Sequence, residues 1–160
     1  MLKKYKVEVT AVDRAGKLEQ LRSLGYDHVI EYPEVDFTRT GKQYDFILDA
    51  RTSKSVFDYL RALKPGGIYA TVGGDRIFRF MFTAPFINPF VKKRLKLVSL
   101  RANKNLTYIN ELIESGEIRP VIDRVFEFTE IHEALSRFLR AEHFGKVVIR
   151  MESPWPASVE

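Results

Sequence analysis

The stretch VEVTAVDRAGKLEQLRSLG, residues 7–25, decides the fold of this 160-residue chain. Its first part is rich in β-branched residues and ends at Asp13, and its second part repeats leucine at a helical spacing, at Leu18, Leu21 and Leu24. This pattern predicts a strand that feeds a helix through a short turn. The carboxylate at the strand end suits either of two roles: it holds a nucleotide ribose, or it is solvated and complements the helix dipole.

The bulk composition is that of an ordinary globular domain, with 45% hydrophobic and 29% charged residues. No apolar run reaches the roughly 18 residues that would span a membrane, and the amino terminus has no secretory signal pattern. The chain has no cysteine, which excludes disulfides and thiolate metal sites and suits the cytoplasm. Its net charge of +5 includes one cluster, residues 92–96, which we interpret as a solvated turn. We therefore expect no nucleic-acid partner and no membrane partner.

The remainder of the chain alternates between strand and helix patterns. We predict strands at 28–30, 44–49, 68–72, 95–100 and 146–151, an extended segment at 120–128, and helices at 53–63, 106–115 and 130–141. Ser53 or Ser55 is expected to cap the first of these helices, and Thr129 the last. Residues 1–6 resemble the last turn of a helix, and residues 153–160 a frayed tail. This alternation predicts an α/β fold with a parallel sheet.

The segment 75–94 stands apart because it is aromatic, contains proline and is only weakly periodic. We considered a membrane-surface segment, but favour a helix and loop that cover a pocket or a subunit interface.

Three predicted strand ends carry polar or glycine residues, at 13–14, 49–51 and 72–74. Because parallel strands end at one edge of a sheet, and glycine lets a ligand approach the backbone, these ends predict a nucleotide cleft. The alternative for Gly73–Gly74 is a simple turn. The three histidines lack metal-ligand spacing, and Ser53 and Ser55 lack a nucleophile motif, so we predict no metal site and no catalytic residue.

The ordered set of motifs carries a family resemblance. The segments VEVTAVD, KLEQLRSLGYDHVIEY, YDFILDA, ALKPGGIYATVGG and the run from Asn103 to Met151 resemble the carboxyl-terminal half of a medium-chain dehydrogenase/reductase. The branch with the greatest similarity is the zinc-free, quinone oxidoreductase-like one. This resemblance implies a Rossmann-type doubly wound parallel sheet that binds NAD or NADP without zinc. It also implies hydride transfer to quinones, enones or similar carbonyl compounds.

For the adenosine half of the cofactor, the resemblance assigns Asp13 to the ribose, and Lys17 and Tyr32 to the 2′-phosphate of NADP. The charges disagree, because Asp13 would repel that phosphate whereas Arg14 and Lys17 would attract it. The choice between NAD and NADP therefore stays open.

For the nicotinamide half, the resemblance assigns two loops and a third segment: Ala50 and Arg51, then Val72, Gly73 and Gly74, and finally Arg101 to Asn103. Arg51 departs from the small or apolar residues that are usual there.

The resemblance also implies an incomplete sheet, since the family's first strand and Gly-rich turn would precede Met1. We predict a partial dinucleotide-binding domain at 1–119, a segment at 120–151 that in the family returns to the substrate domain, and a tail at 152–160. The first strand is central in the family order 3-2-1-4-5-6, so its neighbours must close up or another chain must fill the gap. We expect a homodimer, through the 95–100 strand, or a complementing amino-terminal chain.

The leading hypothesis is an NAD(P)-binding fragment of an oxidoreductase that is not active alone. One alternative is a remnant of an S-adenosylmethionine-dependent methyltransferase, which VTAVDRAGKLEQL and ALKPGG also resemble and which should end in an antiparallel hairpin. The other is a non-catalytic oligomerising module that binds a partner through residues 78–90.

Overall fold

The computed structural model describes residues 6–99 and 101–151, which form two compact units. One unit comprises residues 9–104, and the other comprises residues 105–151 together with 6–8. The helical turn predicted within residues 1–6, the end of the 95–100 strand and the tail fall wholly or partly outside the described residues. No helix among the described residues is long and apolar enough to cross a membrane.

Within its described residues, the first unit contains five strands and three α-helices, besides short 3-10 turns. The strands are β1 (Thr10–Asp13), β2 (His28–Glu31), β3 (Tyr44–Asp49), β4 (Leu63–Thr71) and β5 (Arg94–Leu97), and the helices are α1 (Leu18–Ser23), α2 (Val56–Ala62) and α3 (Ile77–Ile87). Strand β1 begins later than the β-branched run suggests. The reason is that the amide of Val9 donates to the carboxylate of Asp27, 2.8 Å away, and so does not join the ladder.

The strands form parallel sheets, as predicted, but the described residues of the first unit hold two sheets instead of one. Strand β1 pairs with β2 in parallel, and β3, β4 and β5 form a second parallel sheet with β4 in the middle. The break falls between β1 and β3, where the family order has its first strand. The two neighbours of that strand therefore do not pair with each other.

The core of the first unit lies on one side of the β3–β4–β5 sheet. The rings of Tyr59 and Tyr69 stack at 4.2 Å, and Phe80 of α3 lies 5.3 Å from Tyr69. Buried residues of β3, α2, β4, α3 and β5 complete this cluster. The predicted apolar stripe of α2 supplies much of it, so that helix is held to the sheet by burial of its apolar face.

Two boundaries around α2 differ in detail from the prediction. Ser55, and not Ser53, caps the helix, because Ser55 and Asp58 form a reciprocal capping box. After the helix, β4 starts at Leu63, so Pro65, Gly66 and Gly67 lie inside the strand at a register shift and not in a separate turn. A side chain at Gly67 would press against the backbone oxygen of Lys64, 2.9 Å from the added Cβ, which explains the glycine there.

The second unit contains α4 (Leu106–Glu114), β6 (Ile122–Glu127), α5 (Ile131–Leu139) and β7 (Lys146–Arg150). Strands β6 and β7 pair in parallel, which is not the antiparallel hairpin that the methyltransferase alternative requires.

The prediction that Thr129 caps the last helix is wrong. Thr129 lies inside a 3-10 turn that precedes α5, so helical winding begins earlier than the apolar pattern indicates. The amide of Glu127 donates to the carboxylate of Glu130 at 2.8 Å, and this pair provides the cap.

Asp123 of β6 joins three parts of the second unit. Its carboxylate accepts two hydrogen bonds from the guanidinium of Arg137 in α5, at 2.6 and 2.9 Å, and one from the amide of Phe144, at 2.9 Å. The Arg137 guanidinium and the Phe144 amide lower the pKa of Asp123 from 3.8 to about 2. The ionised carboxylate is therefore the form that stabilises this unit.

We expect Asp123→Asn to lower the free energy of unfolding at pH 7 by about 2 kcal/mol, because a carboxylate with a depressed pKa stabilises the folded state above its unfolded pKa. This contribution disappears as pH falls from about 4 through about 2, so urea unfolding curves of variant and parent should converge there. Asp45→Asn removes an exposed ion pair with Lys64 and serves as the control with little effect. Equal losses for both variants at pH 7 would contradict this role of Asp123.

Candidate functional site

Asp49, the last residue of β3, organises the loop that follows it. One carboxylate oxygen accepts the amides of Arg51 and Thr52, at 2.8 and 3.1 Å, and the other accepts the hydroxyl of Tyr69 at 3.0 Å. The carboxylate therefore ties the 50–52 loop to the buried side of β4. The sequence pattern places Asp49 at the carboxyl end of a strand but does not indicate this role.

The tyrosines beside Asp49 act as hydrogen-bonding groups and not as acids. Burial, together with the negative charge of Asp49, raises the pKa of Tyr69 to about 12. Burial also raises the pKa of Tyr59, whose hydroxyl oxygen accepts the amide of Lys54 at 3.0 Å. Both hydroxyls therefore keep their protons at ordinary pH and hold the loop in place.

Thr52 adopts a left-handed backbone conformation, with φ of +47°, although it is β-branched. This conformation is costly for such a residue unless other contacts hold it. Its buried hydroxyl shares a 2.5 Å hydrogen bond with the hydroxyl of Thr71 and donates to the carbonyl of Gly73 at 2.6 Å. These bonds connect the ends of β3 and β4. The only signal for them in the sequence is a threonine near each strand end.

The backbone adds a second connection between the two loops. The amides of Asp75 and Arg76 donate to the carbonyls of Arg51 and Thr52, at 2.7 and 3.2 Å. A Cβ at Gly74 would collide with the carbonyl of Arg51, so only glycine permits this close approach. Five predicted site residues are therefore brought together: Ala50, Arg51, Val72, Gly73 and Gly74. We call them, with Thr52, the Asp49 rim.

Most backbone donors of the Asp49 rim are used within the protein, and its exposed side chains include Val72 and Arg51, whose guanidinium lies 3.4 Å from the carboxylate of Asp75. The amides of Arg51 and Thr52 bond to Asp49, and the amide of Gly73 donates to the hydroxyl of Thr71 at 3.2 Å. Val72 is 54% exposed, and a Cβ at Gly73 would meet no protein atom within 4 Å. Such a surface fits the face of a planar ring better than a phosphate, which needs free N–H groups.

The adenosine residues predicted from the resemblance lie at the carboxyl end of the β1–β2 sheet. Asp13 accepts the amide of Arg14 on its carboxylate, at 2.8 Å, and the amide of Tyr32 on its carbonyl, also at 2.8 Å. The amide of Lys17 donates to the carbonyl of Arg14 at 2.9 Å. These four residues therefore form one local group, with the side chains of Arg14 and Tyr32 exposed.

Arg101 and Asn103 occupy a third place, an exposed turn after β5. The amide of Lys104 donates to the carbonyl of Arg101 at 3.3 Å, and Asn103 has a φ of +57°. Within residues 6–99 and 101–151, no group of three or more His, Asp or Glu side chains is arranged to hold a metal ion.

We expect Thr52→Val to lower the free energy of unfolding by about 2–3 kcal/mol, because valine keeps the strained backbone and the shape but loses the bonds to Thr71 and Gly73. Thr83→Val, at an exposed helical threonine, is the matched control, with a change within about 0.5 kcal/mol. Urea unfolding at neutral pH measures both. Similar values for the two variants would show that the hydroxyl of Thr52 does not hold the rim.

The family model described as zinc-binding dehydrogenase matches residues 24–149. Protein YIM1 of Saccharomyces cerevisiae strain RM11-1a is 25% identical over 170 aligned residues, which cover 90% of this chain and 47% of that protein. The chain therefore spans about half the length of the curated relatives it matches.

Two solved structures share the fold. The quinone oxidoreductase from Coxiella burnetii superposes with a TM-score of 0.75 at 21% identity, covering 94% of this chain and 47% of that one. The JamJ enoyl reductase superposes with a TM-score of 0.73 at 23% identity, covering 91% and 48%.

These findings do not favour a methyltransferase, and β6–β7 pairing agrees with them. The family match covers most of the chain, and the order of strands and helices is the one that the resemblance predicts. The chain belongs to the zinc-binding dehydrogenase family, within the medium-chain dehydrogenases/reductases.

Proposed function

We propose that this chain is the dinucleotide-binding part of an oxidoreductase that transfers hydride between NAD(P)H and a quinone, enone or similar carbonyl compound. The observation that carries the proposal is the Asp49 rim, where two loops at neighbouring strand ends are locked together and turn apolar carbon outward. Family membership supports a nicotinamide dinucleotide as the ligand. Because the chain spans about half the length of its relatives, the chain alone binds the cofactor without turnover.

The residues divide between the two halves of the cofactor. Ala50, Val72 and Gly73 contact the nicotinamide ring, Gly74 sets the distance between their loops, and Arg51 borders the ring through its pairing with Asp75. Arg101 and Asn103 contribute from the turn after β5. When bound, the cofactor supplies the hydride, and the apolar surface keeps water away from the transferring carbon.

The adenosine half is held by Asp13, Arg14, Lys17 and Tyr32. Asp13 favours the ribose hydroxyls of NAD, whereas Arg14 and Lys17 favour the 2′-phosphate of NADP. Since one carboxylate oxygen of Asp13 is already bonded to the amide of Arg14, the acid is oriented before any ligand arrives. Parallel titrations with NADH and NADPH decide which charge dominates.

We expect Val72→Asn to weaken NADH binding about tenfold, which corresponds to about 1.4 kcal/mol, and to leave ADP-ribose binding unchanged. The reason is that Val72 contacts only the nicotinamide ring, which ADP-ribose lacks. Calorimetric titration of the chain with both ligands measures the two affinities.

Val125→Asn, at an exposed valine in β6, is the control and should change neither affinity. A parallel loss of ADP-ribose affinity would show that Val72 acts through the fold. No NADH binding at millimolar concentration would overturn the proposed function.

The partner is a second copy of the chain or a complementing amino-terminal chain. Strand β3 is an edge of its sheet, and it exposes Phe46 and Leu48. Because Ile47 between them faces the core, these two side chains project from the opposite face of the sheet, and an open edge beside exposed apolar side chains favours association with another polypeptide. The β5 edge, where two-fold pairing is expected from the sequence, is the other open edge of this sheet. We place the protein in the cytoplasm, which its lack of cysteine suits.

We expect the chain to associate reversibly with itself at micromolar concentration, and Phe46→Lys to weaken this association at least tenfold by placing a charge on the exposed apolar face beside the β3 edge. Sedimentation equilibrium measures the association constant. Phe57→Lys, at an exposed phenylalanine on α2, is the control and should have no effect. A monomer at all concentrations would contradict the homodimer and leave the complementing chain as the partner.

A further inference from the structure

An exposed ion pair lies at the Asp49 rim. A guanidinium nitrogen of Arg51 lies 3.4 Å from a carboxylate oxygen of Asp75, and the two side chains are 63% and 62% exposed. Arg51 stands where the family resemblance indicates a small or apolar residue. Its charge is therefore a feature of this chain, and it lies beside the residues that we propose to contact the nicotinamide ring.

The main chain fixes the bases of both side chains. The amide of Arg51 donates to the carboxylate of Asp49 at 2.8 Å, and the carbonyl of Arg51 accepts the amide of Asp75 at 2.7 Å. The glycine at position 74 permits this approach, since an added Cβ would collide with the carbonyl of Arg51. The positive and the negative charge are therefore held at neighbouring points of the rim.

The charges of the two loops cancel. Residues 49–52 and 72–76 contain two acidic and two basic side chains, those of Asp49, Arg51, Asp75 and Arg76. An ion pair with both members exposed is screened by solvent and adds little to folding stability. The pair of Arg51 and Asp75 therefore acts mainly on what binds beside it, and the rim is neutral only while both members are present.

We propose that the ion pair of Arg51 and Asp75 sets the relative affinity of the rim for oxidised and reduced cofactor, an inference that rests on the proposed function. The nicotinamide ring carries one positive charge when oxidised and none when reduced. A fixed charge beside the ring therefore changes the affinity of the oxidised form alone. Arg51 by itself would repel the oxidised ring, and Asp75 by itself would attract it. With both present, ring charge gives little preference for either form.

A phosphate contact is the other role for an arginine at such a place, because a guanidinium binds phosphate in two parallel hydrogen bonds. The position of Asp75 opposes that role. Its carboxylate, 3.4 Å from the guanidinium, occupies a donor of Arg51 and repels a second anion. The geometry therefore favours an action on the charge of the ring.

The test is calorimetric titration of the chain and its variants with NAD⁺ and NADH at low salt, or with NADP⁺ and NADPH if those bind more tightly. We expect Arg51→Gln to raise the affinity for the oxidised form about threefold and Asp75→Asn to lower it about threefold, because each leaves one charge uncompensated. The affinity for the reduced form should stay the same. Both shifts should shrink as salt is raised.

Two further variants separate charge from shape. The double variant with Arg51→Gln and Asp75→Asn is neutral again and should return to the parent ratio of affinities, and Arg51→Lys keeps the charge and should preserve that ratio. Arg140→Gln and Glu142→Gln, which remove an exposed pair of similar length in the second unit, 3.3 Å, are the matched controls without effect. Unchanged circular dichroism shows that each variant is folded.

The outcomes distinguish this inference from the proposed function. Equal losses of affinity for both forms in Arg51→Gln would overturn the inference in favour of a phosphate contact. Ratios that do not move in the two single variants would overturn it and leave the proposed function standing, since both forms would still bind. Failure of both forms to bind at millimolar concentration would overturn the proposed function and this inference with it.

Discussion

The carboxylate of Asp49 is the interaction on which the candidate site depends. It bonds to two amides of its own loop and to the hydroxyl of Tyr69, whose ring stacks in the core. A loop of three residues between a strand and the approach to α2 would otherwise have many conformations. Because the carboxylate accepts from both the loop and β4, the position of the rim follows directly from the packing of the core.

Thr52 shows how the structure offsets the cost of that loop. Its left-handed backbone is unfavourable for a β-branched residue, and three oxygen atoms, those of Thr52, Thr71 and Gly73, share hydrogen bonds that compensate. These internal hydrogen bonds also affect which ligand the rim can bind. With these backbone amides used internally, the rim has few N–H groups of the main chain left for a phosphate, and the exposed Val72 is suited to the flat, weakly polar end of a dinucleotide.

Most of the fold could be predicted because its signals are local. The run Tyr44–Asp49 identifies its strand to the residue, and the apolar stripe of α2 identifies a helix that begins three residues later than predicted, at Val56. The capping group of α5 was missed because Thr129 is a good cap by type, and only the geometry shows that winding starts before it. The Thr52–Thr71 bond could not be predicted, since its partners are 19 positions apart and nothing in either residue type specifies the other. The grouping of 50–51 with 72–74 was predictable because parallel strands end at the same edge.

The sequence pattern of α3 correctly indicates an apolar segment, but it does not show which residues face the core and which are exposed. Alternation of phenylalanine at 78, 80 and 82 hides the helical period, because a helix that is apolar on both sides has no polar face to mark it. Phe80 fixes the helix to the core, and with that face occupied the remaining rings can only point away from it. Their exposure is therefore a direct result of stable packing and not of loose structure. Large exposed apolar side chains on a firmly packed helix form a surface suited to contact with another molecule.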